Sequence, residues 1–399
     1  MIERTLQAHF LAVAGRYPVV TLTGPRQSGK TTLSRMTFPE KPYASLEPPA
    51  TRELALEDPL GFLARYPEGA IFDEVQRAPE LLSYLQSQVD DDPRPGRFIL
   101  TGSQNLGLLG GVTQSLAGRT ALLELLPLGL EEVRRFAAPA DDLYPFLWRG
   151  GYPRIFSAHL PPEEWLASYT TTYLERDVRQ LLKVGDLLSF QTFLRLAASR
   201  TGRLLNLDSL ASDCGISHGT AKAWLSVLEA SYIAFRLPPF HANLSKRLVK
   251  SPKLYFYDTG LVCNLLGINR PEQLANHPLR GSLFETWVVS EVLKQHLHRG
   301  RQPRLSFYGE RGRLEIDLLL EDGADVTAIE IKSSQTPSAS FFENFDRLAE
   351  RFAEQDPSMQ RLAQRLVIYG GDDLQKRSGG TLVPWSRIDE LPWGGPWET

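Results

Sequence analysis

Two glycines with four residues between them, Gly24 and Gly29, are followed at once by Lys30 and Thr31, within the run VVTLTGPRQSGKTTLSRM from Val19 to Met36. A loop of this composition turns its backbone N–H groups inward, and the helix that follows adds the partial positive charge of its first turn. Together they cradle the phosphates of a nucleotide. The cradle comprises Gly24, Pro25, Arg26, Gln27, Ser28, Gly29, Lys30, Thr31 and Thr32. Lys30 is placed to reach the β and γ phosphates, and the Thr31 hydroxyl to bind Mg²⁺. The chemistry expected is therefore that of ATP with Mg²⁺.

Such a loop needs a strand before it and a helix after it. Val19 to Leu22 are apolar or β-branched and suit a buried strand, and the residues after Gly29 have helical spacing. A second apolar stretch, Gly69-Ala70-Ile71-Phe72, ends in Asp73 and Glu74. A carboxylate at that point holds Mg²⁺, and an adjacent Glu polarises the attacking water. A third strand, Arg97 to Ser103, brings Ser103, Gln104 and Asn105 to its carboxyl end, where ligands of open α/β sheets bind. Arg119 precedes the apolar strand ALLELLPL. It could complete the site of a neighbouring subunit by offsetting transition-state charge, or simply pair with a surface acid.

The chain has 399 residues, more than one core holds with ease, so two or three domains are expected. Apolar residues make up 42%. Cys214 and Cys263 lack metal-type spacing and read as small core residues. No apolar run is long enough for a membrane span and no signal-like start is present, so a cytoplasmic location is expected. The net charge of −3 argues against a nucleic-acid coat protein, although the cations are unevenly spread. Residues 1 to 18 read as a helix packing through Leu6, Phe10, Leu11 and Val13, and residues 50 to 64 as a second helix.

The segments GPRQSGKTT, AIFDEVQRAPELL, FILTGSQN, SLAGRTALLELLPLGLEE, GGYPRI and YLERDV together resemble a bacterial and archaeal family of AAA-type ATPases with a C-terminal domain of uncharacterised function. The resemblance implies catalytic positions at Lys30, Thr31, Asp73, Glu74 and Ser103, with Arg119 as the candidate arginine finger and Arg176 as a second.

From Leu187 to Phe240 the pattern shifts to short helices. A stripe of Phe190, Phe193, Leu194 and Ala197 ends at Thr201-Gly202. Leu207 to Asp213 forms a second helix, Cys214-Gly215-Ile216 a turn, and Ser217 caps a third. This is the layout of a helix-turn-helix. Ser217, His218, Thr220 and Lys222 are placed to touch DNA. The stretch Arg236 to Lys253, with Lys246, Arg247 and Lys250, reads as a basic wing. Winged helices also serve as protein-contact modules.

Beyond Gly281 a helix carries Glu285, and two strands flank the turn at Glu321 to Asp325. A symmetric hairpin sets Asp317 opposite Glu330, with Glu315 and Lys332 on the same face and Ile316, Leu318, Ile329 and Ile331 on the other. Opposed carboxylates beside a lysine could hold Mg²⁺ for phosphodiester cleavage. The set Glu285, Asp317, Glu330-x-Lys332 resembles the PD-(D/E)xK nuclease fold. Lys294, Arg299, Arg301, Arg304, Arg311 and Arg313 face a single acid, Glu310, over the same span. A half-buried hairpin with a solvated charged face gives the same alternation.

The fold expected is α/β throughout: a P-loop additional-strand ATPase core over residues 1–138, a helical lid or linker over 139–186, a winged helix over 187–275, and a PD-(D/E)xK-like α/β domain over 276–399. The function expected is that of an Mg²⁺-dependent ATPase that binds or remodels DNA as a homo-oligomer, away from any membrane, with a candidate metal-dependent cleavage site. The alternatives are an ATP-driven DNA motor or helicase-like protein without nuclease activity, and a nucleotide-switched scaffold for a partner protein.

Overall fold

The computed structural model describes residues 2–103, 116–136, 142–174, 187–240, 251–310, 314–355 and 361–393. Its first unit is a five-stranded parallel sheet built from β1 (Val19–Thr23), β2 (Tyr43–Ser45), β3 (Ala70–Asp73), β4 (Phe98–Gly102) and β5 (Thr120–Glu124). The order is β2-β3-β4-β1-β5, so β4 lies between the phosphate-loop strand and the strand ending in Asp73. That inserted strand defines the additional-strand arrangement.

Both faces of a parallel sheet must be covered, and alternate residues serve the two sides. Val20, Leu22, Ile71 and Ile99 pack with Leu6, Phe10 and Val13 of α1 (Leu6–Ala14) and Leu33 of α2 (Lys30–Thr37). Val19, Phe72, Phe98 and Leu100 pack against α3 (Pro49–Glu57), α4 (Pro59–Ala64) and α5 (Leu81–Asp91). Two expectations need correction. Leu11 stays 48% exposed rather than joining the core. The helix expected over 50–64 is two helices, because Pro59 has no N–H to continue the first and Asp58 caps the second through Gly61 N–H.

A run of short helices follows: α6 (Leu130–Val133), α7 (Leu143–Arg149), α8 (Pro153–Ser157) and α9 (Pro162–Tyr169). Then come α10 (Leu187–Ser199), α11 (Leu207–Cys214) and α12 (His218–Ala230). Gly215 takes the left-handed conformation at the end of α11, and the Ser217 side chain accepts from Thr220 N–H at the start of α12. Beside these helices lies a small antiparallel sheet of β6 (Arg203–Leu204), β7 (Ala234–Leu237) and β8 (Lys253–Phe256), in the order β6-β8-β7.

After α13 (Thr259–Leu265) and α14 (Glu272–Ala275), the long α15 (Arg280–Leu297) leads into a six-stranded mixed sheet. Its strands are β9 (Arg304–Glu310), β10 (Leu314–Asp322), β11 (Asp325–Lys332), β12 (Arg361–Tyr369), β13 (Gln375–Arg377) and β14 (Gly380–Pro384). Leu318 faces Ile329 across the β10–β11 hairpin, the register that a symmetric turn predicts. One side of this sheet packs on Phe284, Val288 and Val292 of α15, and the other on Phe345, Leu348 and Phe352 of α16 (Glu343–Gln355). A register shift in the β9–β10 ladder between Ile316 and Leu319 sends Ile316 to the α16 side and leaves Leu318 on the α15 side, so these two do not share a face as expected. A single apolar core runs from Leu128 through α10, α12 and α15 to Trp393. No described helix is long and apolar enough to cross a membrane.

Candidate nucleotide site

The phosphate loop leaves β1 at Gly24, whose φ of 145° and position leave no room for a side chain: a Cβ would stand 2.1 Å from the Leu125 carbonyl oxygen. Gly29, at φ 96°, caps α2, so the loop enters the helix through a conformation that glycine adopts without strain. Arg4 braces the loop from behind. Its guanidinium donates to Ser28 O at 2.7 Å, to Leu126 O at 2.8 Å and to Glu132 Oε1 at 2.8 Å. Burial pushes the Glu132 carboxyl up, but the charges of Arg4 and His298 and the hydrogen bonds from Arg4 and Thr5 outweigh it, holding the group at about 2.

The Lys30 ammonium donates to Gly24 O at 2.9 Å and Pro25 O at 2.7 Å, which holds it over the cradle. Thr31 Oγ1 donates to Asp73 Oδ2 at 2.9 Å. The Mg²⁺-binding pair read from the sequence is thus brought together across 42 residues of chain. The same carboxylate accepts from Tyr43 OH at 2.8 Å and from the Thr101 hydroxyl. Burial and the neighbouring Asp73 push the Tyr43 phenol up to about 12, so it stays a donor. The hydroxyl donors and the anionic oxygens suit a hard divalent cation, which takes a hydroxyl and a carboxylate readily, so Thr31 and Asp73 fit Mg²⁺.

Glu74 adopts φ 60°, an uncommon state for a residue with a side chain, and this turns its carboxylate toward Gln76 and Ser103. Ser103 Oγ donates to Glu74 Oε2 at 3.3 Å, and Gln76 Nε2 donates to Ser103 Oγ at 3.1 Å. Ser103 is therefore in the site. Gln104, Asn105, Arg176, Lys246, Arg247, Lys250, Arg311 and Arg313 lie outside the described residues. Arg119 sits at the start of β5, level with Val19 and so at the sheet edge opposite the loop, where it pairs with Asp90. A five-residue strand puts that edge roughly 15 Å away, so Arg119 does not serve its own chain's site.

A cavity of about 360 Å³ opens beside the loop, lined by Arg26, Gln27, Gly29, Lys30, Thr31, Thr32 and Glu74, and also by Pro153, Arg154 and Ser157 of α8. The Gly150-Gly151 pair explains how α8 reaches it. Gly151 N–H donates to the buried Asp258 Oδ2 at 2.7 Å, and a Cβ on Gly150 would stand 2.4 Å from Asp258 Oδ1. Sequence reading marked Gly150 to Pro153 as distinctive without giving it a role, and it missed Tyr43, Gln76, Thr101 and Arg4 altogether. Isolated polar residues of these types carry no spacing signal.

The remaining site residues fall in two places. On α11 and α12, His218 Nδ1 lies 2.7 Å from Asp208 Oδ1, Ser217 and Thr220 bond to each other, and Lys222 is exposed. Two cations expected in the basic wing are engaged elsewhere: Arg236 pairs with Glu229, and Lys253 is buried. Lys253 Nζ lies 2.8 Å from Glu315 and 3.1 Å from Glu285, which also accepts from Tyr255 OH at 2.6 Å. Lys332 Nζ lies 2.5 Å from Glu330 and 3.7 Å from Asp317, and Asn344 donates to Glu330 Oε1 at 2.9 Å. Glu285, Asp317, Glu330 and Lys332 therefore do gather, as expected. Burial, then the Asp317 charge, pushes both Glu285 and Glu330 up to about 7. Among the described residues, however, no three His, Cys, Asp or Glu side chains are grouped so as to hold a metal ion. Two lysine ammoniums, of Lys253 and Lys332, lie among the carboxylates of Glu285, Glu315, Asp317 and Glu330. Lys294, expected in a basic nucleic-acid face, is buried with its ammonium on Leu128 O at 3.3 Å. Arg299 pairs with Glu131.

Residues 16–134 match the AAA domain family, 140–272 a domain of unknown function (DUF8612), and 280–388 a second domain of unknown function (DUF4143). Two relatives, the uncharacterized proteins Rv2008c of Mycobacterium tuberculosis and Mb2031c of Mycobacterium bovis, are each 34% identical over 376 residues, covering 93% of this chain and 80% of theirs. The chain belongs to their AAA-domain family. It is an ATPase of the AAA type. Two solved structures are looser likenesses of this ATPase. The Walker-type ATPase PABY2304 of Pyrococcus abyssi has a TM-score of 0.46 at 16% identity, over 65% of this chain and 94% of its own. The STAND protein PH0952 of Pyrococcus horikoshii, with a tetratricopeptide repeat sensor, has a TM-score of 0.24 at 12% identity, over 74% and 47%. Both likenesses are too loose to bear on function.

Proposed function

We propose that this ATPase is Mg²⁺-dependent and couples ATP binding and hydrolysis to DNA held by the α11–α12 pair and the C-terminal sheet, with the chain divided into working units at residues 138, 186 and 275. The observation that carries the ATP half is the Thr31–Asp73 hydrogen bond beside Lys30. Lys30 binds the β and γ phosphates, Glu74 orients the attacking water, and Ser103 and Gln76 hold Glu74. Thr31 and Asp73 would hold Mg²⁺, which would supply positive charge to the phosphoryl oxygens. In a homo-oligomer, Arg119 of one copy exchanges Asp90 for the phosphates of the next.

For DNA, the support is the turn at Gly215 and the capped α12, whose exposed first turns carry Ser217, His218, Thr220 and Lys222 beside a small sheet, the layout of a winged helix. Lys246, Arg247 and Lys250 belong to the connection between β7 and β8 and extend the same basic stretch. For the C-terminal sheet beside α15, the gathering of Glu285, Asp317, Glu330 and Lys332 supports the PD-(D/E)xK-like reading. The sheet's part in this reading is to bind DNA.

A second reading, a nucleotide-switched scaffold for a partner protein, is favoured by the His218–Asp208 and Arg236–Glu229 pairs, which neutralise part of the expected DNA face. The two readings separate when ATP turnover is measured with single-stranded, duplex and branched DNA, on protein of known mass in solution. Stimulation by one of these, together with retention on DNA that weakens as salt rises, supports the DNA reading. Unchanged turnover and no retention contradict it and leave the scaffold.

A further inference from the structure

Asp73 is 6% exposed and takes three hydroxyl donors: Thr31 at 2.9 Å and Tyr43 at 2.8 Å on Oδ2, and Thr101 on Oδ1. Thr31 follows the loop lysine and Thr101 stands on the adjacent β4, whereas Tyr43 comes from β2, a strand of three residues at the edge of the sheet. The strands β2 and β3 run parallel, with Ser45 level with Asp73 and Tyr43 level with Ile71. Side chains at these four positions leave the same face, so the phenol must run about 7 Å along the strands to reach the carboxylate. A serine or threonine at position 43 is too short to do so.

Tyr43 is turned against its own amphipathic character. A tyrosine near the surface ordinarily buries its ring and leaves its hydroxyl in water. Here the residue is 36% exposed, yet its hydroxyl points inward to a buried carboxylate. Arg35 of α2 lies over the ring at 5.1 Å and helps to hold it there. Among the described residues, Tyr43 belongs to neither apolar cluster that flanks the sheet, so its placement serves Asp73 and not the core. An aspartate carboxylate turns easily about its last torsion unless donors fix it. Thr101 holds one oxygen. On the other, the Thr31 hydroxyl is the group that Mg²⁺ would take, which leaves Tyr43 as the donor that stays.

We propose that Tyr43 is a positioning residue for the Mg²⁺ site, its hydroxyl fixing Asp73 Oδ2 so that the carboxylate meets the cation already oriented. This rests on the Mg²⁺ reading above. The edge strand thereby takes part in the nucleotide machinery, although Tyr43 is not among the residues lining the cavity. Loss of a group that orients a metal-binding carboxylate commonly costs roughly 10- to 100-fold in metal affinity.

The test is calorimetric titration of the full chain with the non-hydrolysable analogue AMP-PNP, once in Mg²⁺ and once in EDTA. Tyr43→Phe keeps the ring and removes only the hydroxyl. It should weaken binding in Mg²⁺ by about tenfold, leave binding in EDTA at the wild-type value, and raise the Mg²⁺ concentration that half-saturates ATP turnover by a similar factor. In an Asp73→Asn background the same change should have no further effect. Equal affinities of wild type and Tyr43→Phe in Mg²⁺, with Asp73→Asn impaired, would overturn the proposal while leaving the Mg²⁺ reading intact, and so would an equal loss in EDTA. A wild-type chain whose AMP-PNP affinity is the same in Mg²⁺ and in EDTA would remove the Mg²⁺ reading and this inference with it.

Discussion

The hydroxyl oxygens of Thr23 and Tyr232 lie 2.8 Å apart, joining the last residue of β1 to the turn after α12. Tyr232 holds φ 56° to make this contact and is only 2% exposed. The phosphate loop begins at the next residue, so the loop and the helix pair proposed to meet DNA share one buried contact. Tyr232→Phe removes one partner, while Thr23 keeps its bond to Leu123 O at 3.2 Å. The expected loss is about 1 kcal/mol of unfolding free energy, read from denaturant titration.

Gly150→Ala places a methyl against the Asp258 carboxylate in a backbone state of φ 70° that alanine adopts poorly. The variant should lose roughly 2 kcal/mol or more of stability and bind nucleotide less tightly, because α8 is displaced from the cavity. Thermal unfolding with and without MgADP measures both effects. A ligand-induced Tm shift equal to that of the wild type would contradict the second.

Acid should unfold the chain in a way that traces to Glu132 and His298. Glu132 is held down at about 2, and burial lowers His298 to about 3. Both folded values lie below the ordinary ones, so the stability each contributes is present above its ordinary value and is lost as pH falls toward the folded value. For His298 the window runs from 6.5 down to about 3, and for Glu132 from 4.5 down to about 2. The Glu132 part amounts to about 3 kcal/mol. Glu132→Gln should be less stable at pH 7, where Arg4 is left buried without its partner, and should show a flatter decline toward acid. A variant whose pH profile parallels the wild type would contradict the assignment.

Lys253 stands between Glu285 and Glu315, and removing it leaves buried like charges facing Asp317. Lys253→Met should cost about 3 kcal/mol. Adding Glu285→Gln should restore part of it, since one of the uncompensated carboxylates is then neutral. Additive losses in the double variant would contradict the pairing. If the C-terminal unit acts in binding alone, prolonged incubation of the wild type with Mg²⁺ and several DNA forms should yield no cleavage; Mg²⁺-dependent products that are lost in Asp317→Ala would contradict this.

What the sequence made legible was local. The phosphate loop, the strand into Asp73, the left-handed Gly215 and the Ser217 cap each depend on a few adjacent residues, and each lies where its signal placed it. The β10–β11 register followed from a short turn in the same way. What stayed hidden was set by distant chain. Lys253 reads as one more wing cation until Glu285 and Glu315 are brought around it, and Lys294 reads as surface charge until α15 is packed. Tyr43 and Thr101 meet Asp73 only because β2 and β4 flank β3, a relation of sheet order and not of spacing. The break at Pro59 was visible in the sequence and simply outweighed by the helical pattern on either side.

The most direct test of the whole account is phosphate release from ATP by the purified full chain, compared with Lys30→Ala of the same fold by circular dichroism. The account predicts turnover in the wild type that needs Mg²⁺, stops with a chelator, and falls at least a hundredfold in Lys30→Ala. Equal turnover in the two proteins, or turnover indifferent to Mg²⁺, would contradict it.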